Sequence, residues 1–281
     1  LNESCAQESS WRAELELSFA AREGRTILSE KSHCGPLQIQ KALYPESPRV
    51  CHVALLHPPG GIAGGDSLEV GVRLGPQAHV VMTTPGATKW YRCPRDAARQ
   101  RLRFSLAAGA ALEWLPRETI LFDGSMVSTD LDVELAAGAQ FLGWEIWCFG
   151  RRASGERWTA GGLRSSSVIR QAGRPLWSER ADLAAGGGFG ASPVGLAGYS
   201  VSATLVAAGA KIDSALLIAC RTMLPRDRDS RAGVTALPNV LLARYLGHSS
   251  QEAFHWFASL WRVLRPAQLG LPAVAPRLWA C

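Results

Sequence analysis

The chain has 281 residues, 47% hydrophobic and 19% charged, enough apolar material for a sizeable core and too little charge for a disordered polypeptide. With 28 glycines and 16 prolines, turns and strands are favoured over long helices, so a β-rich chain is expected. The net charge of +6 is spread along the sequence, and its densest basic stretch, Arg221 to Arg231, is interrupted by Asp227 and Asp229; no nucleic-acid partner is expected.

The seven cysteines (Cys5, Cys34, Cys51, Cys93, Cys148, Cys220, Cys281) are widely spaced and never form Cys-x-x-Cys. That excludes a zinc ribbon or disulfide scaffold and fits reduced thiols in a cytoplasmic compartment. The longest apolar run, around Ala215 to Cys220, is far too short to cross a membrane, and no membrane partner is expected. The first residue is Leu1 rather than Met, which leaves the true N-terminus and any targeting peptide open.

In chain order, Leu15, Leu17 and Phe19 alternate with polar residues up to Arg22-Glu23-Gly24-Arg25, a hairpin pattern continued by Thr26 to Leu28. Gly35 to Gln40 and Val50 to Leu56 predict further strands, the latter with Cys51, Val53, Leu55 and His57 on one face. Then comes His57-Pro58-Pro59-Gly60-Gly61-Ile62-Ala63-Gly64-Gly65-Asp66. The prolines hold the chain extended, and the two Gly-Gly pairs permit positive φ or close approach of another backbone. Asp66 is delivered at the end of this loop, where capping its own backbone is one reading.

A weak internal repeat follows. Leu68, Val70, Val72 and Leu74 run into Gly75-Pro76-Gln77-Ala78 and Val80; Leu102, Phe104 and Leu106 into Ala107-Ala108-Gly109-Ala110 and Leu112; Leu131, Val133 and Leu135 into Ala136-Ala137-Gly138-Ala139 and Phe141. Copies roughly 30 residues apart are the spacing of stacked supersecondary units. Each reads as strand, turn, strand, predicting a mainly β fold, an extended solenoid-like stack of β-strand layers in a single domain over 1–281. Ordinary hairpins of a sandwich give the same local pattern. If the copies stack, the segments Thr83 to Arg92, Leu115 to Gly124 and Gly143 to Arg151 emerge at equivalent places. A fainter echo covers Thr204 to Ile212.

Arg164 to Asp182 is again strand and turn. The glycine tract Gly186-Gly187-Gly188 with Gly190 lacks the helix a dinucleotide site needs, because Ser192-Pro193 follows. Val240 to Leu246 predicts a strand. Few helices are expected, including one near the C-terminus: Ser249-Ser250-Gln251-Glu252 is a capping-box signal, Phe254, Phe257, Ala258, Trp261 and Leu264 form its core stripe, and Pro266 limits its length. The tail from Gly270 either packs back or engages a partner.

The chain has no Gly-x-Ser-x-Gly, His-Glu-x-x-His or Walker A lysine, so the usual hydrolase, zincin and P-loop NTPase signatures are missing. A glycosidase-like pair drawn from Glu118, Asp123 and Glu145 remains an alternative, a β-solenoid carbohydrate-active hydrolase using Glu118 and Glu145. For metals, Cys51, His52, His57, Asp66, Glu118, Asp123 and Glu145 are potential ligands without the short spacing of a closed site. Scattered carboxylates bind divalent ions loosely enough to let them pass.

Taken together, His57 to Asp66, Thr83 to Arg92, Leu115 to Gly124, Gly143-Trp144-Glu145 and Phe149 to Glu156, with Trp11, Gly35-Pro36-Leu37, Gln40-Lys41 and Trp261 to Pro266, resemble the urease accessory protein UreD family, called UreH in some organisms. The resemblance covers essentially the whole chain. It implies a non-enzymatic, cytoplasmic nickel chaperone and scaffold with a helix-poor, solenoid-like fold. Such a protein binds the urease apoprotein and UreF, meets the GTPase UreG through the UreF complex, and holds nickel only transiently, with no tightly bound cofactor. On this reading Asp66, Glu118, Asp123, Glu145 and Glu156 line or gate a polar passage, the other reading of each being an acceptor for backbone N–H groups or a partner for arginine. His57, Gly60, Gly61, Gly64, Gly65, Lys89, Tyr91 and Arg151 shape the loops or an interface.

Overall fold

A computed structural model describes residues 10–93 and 96–280; Cys5 and Cys281 lie outside them. The strands are β1 (Arg12–Arg22), β2 (Arg25–Cys34), β3 (Gln38–Ile39), β4 (Val50–Leu56), β5 (Ser67–Leu74), β6 (His79–Thr83), β7 (Thr88–Trp90), β8 (Ala98–Leu106) and β9 (Ala111–Leu115). They continue with β10 (Thr119–Leu121), β11 (Ser125–Leu135), β12 (Gln140–Phe149), β13 (Gly161–Gln171), β14 (Arg174–Ala184), β15 (Val201–Ala208), β16 (Arg231–Leu237) and β17 (Val240–Gly247). The helices are the single turn α1 (Gly188–Ala191), α2 (Ser214–Thr222) and α3 (Ser250–Leu269).

The repeat is the key to the architecture. Within each copy the two strands do not pair with one another; the turn carries the chain from one sheet to the facing one. The first strands of the copies, β5, β8 and β11, pair in parallel in a seven-stranded sheet of order β14-β13-β11-β8-β5-β1-β2. The second strands, β6, β9 and β12, pair in parallel in a ten-stranded sheet. Register is kept across copies, so Val72, Phe104 and Val133 form one ladder and Leu74, Leu106 and Leu135 the next. The turns stack as well, Gln77 N–H donating to Ala108 O and Gly109 N–H to Ala137 O, each at 3.1 Å. The third turn residue is left-handed in every copy (Gln77 φ 59°, Gly109 φ 67°, Gly138 φ 68°), which is why the repeat favours glycine there. The expected solenoid-like β stack is therefore present. The echo at Thr204 to Ile212 adds no rung, because β15 runs antiparallel to β12 and leads into α2.

Alternation splits the ten-stranded sheet between two cores. Val80, Leu112 and Phe141 point inward with the apolar face of the seven-stranded sheet, while Val81, Leu142 and Trp144 point outward against α3. The outer face of the seven-stranded sheet meets solvent, with cross-strand ion pairs such as Arg103–Glu69 and Arg170–Asp132. The β1–β2 hairpin turns through Glu23 and Gly24, both at positive φ.

Two details of α3 differ from expectation. Ser249 Oγ accepts from Glu252 N–H at 3.1 Å, but the Glu252 carboxylate turns to Arg226 N–H, so the cap is one-sided. The helix also continues past Pro266 to Leu269, stopping at left-handed Gly270. The proline frees the Arg262 carbonyl, and both residues are exposed, so water can take the lost bond. The tail packs back, Trp279 lying against Trp144, Phe254 and Trp261.

Candidate functional site

The loop after β4 shows why it needs four glycines. Gly60 and Gly65 are left-handed (φ 76° and 83°). A Cβ on Gly61 would lie 2.3 Å from the Tyr91 ring, and one on Gly64 would lie 1.8 Å from Cys93 Sγ. Each pair thus supplies one backbone conformation and one close approach. Asp66 is buried, Oδ1 accepting from Trp11 N–H at 2.8 Å and Oδ2 from Ala63 N–H at 2.9 Å. It caps the loop and ties it to the start of β1. His57 and Lys89 line a cavity of about 270 Å³ beside this loop; burial holds the imidazole below its usual pKa, against the opposing charge of Asp66.

Because β4, β6, β9 and β12 run parallel, the segments following them leave at one end of the stack. β10 pairs in parallel with both β7 and β12 and brings three of those segments side by side. There the Tyr91 and Phe122 rings meet edge-on at 5.2 Å, and the Arg151 guanidinium lies 4.3 Å over Phe122. Arg151 also bonds Glu156 at 2.6 Å, and Glu156 accepts from Asp123 N–H at 3.1 Å. Asp123 in turn accepts from the backbone N–H groups of Thr159 and Ala160, which hold its carboxyl below the usual range. Tyr91, Asp123, Arg151 and Glu156 thus form one loop cluster, with Gly61 against Tyr91. Glu118 stands apart on the approach to β10, 4.0 Å from Arg117.

Glu145 is placed differently. Along β12, Phe141, Gly143, Glu145, Trp147 and Phe149 share the inward face, so Glu145 points between the sheets. The apolar ladders give way here to Ser165 and Ser167 on β13 and Thr204 on β15, leaving a cavity of about 560 Å³ whose wall includes Glu145, Glu179 and Arg244 but not Glu118. Phe149, Leu183, Phe189 and Leu196 are shared with a smaller cavity of about 150 Å³ that reaches Arg152 and Arg157 beside the loop cluster. Burial pushes the Glu145 carboxyl up to about 7, the Trp147 side chain opposing and the Glu179 charge adding to the rise. Among the described residues no cluster of three or more His, Cys, Asp or Glu is placed to hold a metal ion. Burial keeps the Cys51, Cys148 and Cys220 thiols protonated, Cys148 at about 12.

A second polar group lies on the other side of the ten-stranded sheet. Glu113, fully buried on β9, accepts from Trp261 Nε1 at 2.5 Å and Arg265 Nε at 2.9 Å and meets His79 Nε2 at 2.7 Å. Arg265 reaches on to Glu46 at 2.8 Å, which also bonds His52 at 2.7 Å. Burial pushes Glu113 up, but the His79 bond and the His79 and Arg265 charges outweigh it and hold the carboxyl below its usual range. This network fixes α3 to the sheet.

Sequence reasoning missed Glu179, Arg244, Glu113 and Arg265 as site or network residues. The signal was polar residues at buried positions of apolar patterns: Glu179 in step with Trp177 and Leu183, Glu113 within Ala111 to Leu115, and Arg265 four residues after Trp261.

The family model described as "UreD urease accessory protein" matches residues 12–280. Among curated relatives, the urease accessory protein UreD of Methylobacillus flagellatus is 48% identical over 269 residues, 96% of this chain and 94% of the relative. That of Dechloromonas aromatica is 48% identical over 273 residues with the same coverage, and that of Pseudomonas aeruginosa 45% identical over 273 residues, 96% and 95% of the two chains. With a family match spanning nearly every residue from the first strand to the tail, and with relatives similar from end to end, the chain belongs to the UreD family of urease accessory proteins.

Proposed function

We propose that this protein is a non-enzymatic nickel chaperone and scaffold, acting in the cytoplasm on the urease apoprotein together with UreF and, through UreF, with UreG. Nickel is cargo, held transiently. The observation that carries the reading beyond family membership is the Glu145 carboxyl on the wall of a largely apolar cavity between the two sheets, with Glu179 and Arg244 on the same wall. An oxygen ligand that ionises near neutrality gives a divalent cation a stop without trapping it. The cavity system leads towards the loop cluster of Asp123, Glu156 and Arg151, which serves as the rim of the passage. Asp66 and the four glycines set the shape of the neighbouring loop, where His57 and Lys89 face solvent or a partner.

The test is co-purification of the chain with apo-urease, UreF and UreG, followed by nickel-dependent activation. Glu145→Ala should impair activation while the UreF complex still forms, and Asp66→Ala should do so through the loop. Full nickel loading with Glu145→Ala would remove the passage from the proposal and leave the scaffold.

A further inference from the structure

The cavity that holds Glu145 opens at a rim built from both sheets. Arg244 lies on the inward face of β17 and Glu179 on the inward face of β14, so their ion pair crosses from one sheet to the other. It is two-pronged, Nη1 to Oε1 at 2.7 Å and Nη2 to Oε2 at 3.0 Å, with Thr204 Oγ1 3.5 Å from Nη1. Their side chains keep 50% and 37% of their exposure, which places the pair at the mouth rather than in the core.

The second feature is the glycine tract that no dinucleotide reading absorbed. Segment 186–198 begins and ends on left-handed glycines, Gly186 (φ 69°) and Gly198 (φ 81°). Its backbone bonds close on itself: Leu196 N–H to Phe189 O, Gly198 N–H to Gly190 O, and Gly195 and Ala197 N–H to Ser192 O. Gly188, Gly190 and Gly198 have nothing within 4 Å of where a Cβ would stand. Phe189, Val194 and Leu196 line the cavity, yet Phe189 is 46% and Val194 92% exposed. Leu196, 8% exposed, anchors the segment in the core between the sheets, while Phe189 and Val194 stay open to solvent; a unit held by its two ends and one apolar anchor has the profile of a segment that opens locally.

We infer that the Glu179–Arg244 pair is a latch and segment 186–198 a flap that together close the cavity, and that a divalent cation reaching Glu145 releases them by taking Glu179 from Arg244. This rests on the reading of the cavity as a cation route. Glu145 and Glu179 line the same cavity, and Arg244 is the positive charge that holds Glu179 at its mouth. A divalent ion bridging the two carboxylates replaces one cation by another, frees the guanidinium into solvent at the rim, and removes the bond between the sheets. Arg244 is on this account a positioning residue, a resident substitute for the cargo.

Hydrogen exchange of the purified full chain tests the latch without any activation assay. Arg244→Gln and Glu179→Gln should each speed exchange in 176–184 and 186–198 by roughly 2- to 5-fold, the scale set by a solvent-exposed ion pair, with α3 unchanged and Arg244→Lys intermediate. Nickel chloride should speed the same segments in the unmodified chain and leave Arg244→Gln where it already is. Unchanged exchange in both variants would overturn the latch. A faithful latch that nickel slows or ignores would overturn release by the cargo. Normal activation with Glu145→Ala beside a nickel-responsive latch would instead remove the route while keeping the gate.

Discussion

Glu145 offers the sharpest quantitative test, because its ionisation links the stability of the chain to its proposed chemistry. Its carboxyl is raised from 4.5 to about 7, so between those values the folded state binds a proton that the unfolded state has lost. Stability attached to this group is therefore complete below 4.5 and is lost as pH rises through 7. At 1.36 kcal/mol per unit the full cost would be about 3 kcal/mol; Glu145 is only partly buried, so solvent screens part of it, leaving about 1–2 kcal/mol. Glu145→Gln keeps an acceptor for the Trp147 indole and removes the charge. Urea unfolding should find Glu145→Gln equal to the unmodified chain at pH 4 and more stable by about 1–2 kcal/mol at pH 8, with the difference developing between 5 and 7. Nickel transfer should move the opposite way, rising with pH through about 7 in the unmodified chain and remaining low and flat in Glu145→Gln. A stability difference that does not change from pH 4 to pH 8 would show that Glu145 ionises normally and that the cavity is wetter than its lining implies.

Arg265→Met strips the buried Glu113 of its charge partner and should cost about 3–5 kcal/mol, roughly 10 °C in thermal unfolding; a change within 2 °C would mean that Glu113 is protonated. Because Glu113 is held below its usual range, its contribution is present above the unfolded carboxylate value and is lost as pH falls through the lower folded one, so the penalty of Arg265→Met should shrink on acidification. Asp66→Ala leaves the Trp11 and Ala63 N–H groups without their acceptor and should cost about 1–3 kcal/mol in urea unfolding, with Asp66→Asn recovering part; equal losses would count against the capping geometry. Gly109→Ala forces a side chain onto a left-handed turn residue and towards Gln77, 2.1 Å from the new Cβ, and should cost about 1–2 kcal/mol. Gly188→Ala, in open space, should cost less than about 1 kcal/mol.

What was legible in the sequence was periodicity. Alternation in Leu68 to Leu74, Leu102 to Leu106 and Leu131 to Leu135, with turns of one length, was enough for a stack, because strands of one register and equal spacing can pair copy on copy. Whether each unit was a hairpin or an arch was not legible, since both use the same local residues and differ only in what lies across the sheet. The α2 helix was missed because Ala215 to Cys220 reads equally as a short apolar strand; Asp213, whose side chain caps it by accepting from Leu216 N–H at 2.7 Å, was the available sign. Of the residues singled out, the loop glycines showed their purpose through the pairing of Pro-Pro with Gly-Gly. The acidic residues did not reveal theirs, because the chemistry of a carboxylate is the same whether it accepts backbone N–H groups, as Asp66 and Asp123 do, or faces a cavity, as Glu145 does.

That last distinction is set by what lies on the facing strand, and it explains where the cavity is. In the rungs built by β5, β8 and β11 most inward positions carry Val, Leu and Phe, with Ser125 and Thr129 on β11 as exceptions, and the sheets pack on one another through ladders such as Val72, Phe104 and Val133. The stack then continues through β13, β14, β15 and β17, whose inward positions include Ser165, Ser167, Glu179, Thr204 and Arg244. β11–β13 and β15–β17 pair without a break and β13–β14 carries one register shift, between Ile169 and Arg170; short and charged side chains at inward sites line the space. Apolar residues at these positions would bury more surface at about 25 cal/mol per Å², and a chain selected for stability alone would fill them. A departure from the apolar pattern that appears on several strands at once, all facing one volume, is the kind of local cost that function explains and folding does not. The short and charged inward residues at this end of the stack are therefore where the proposed passage is open to test by substitution.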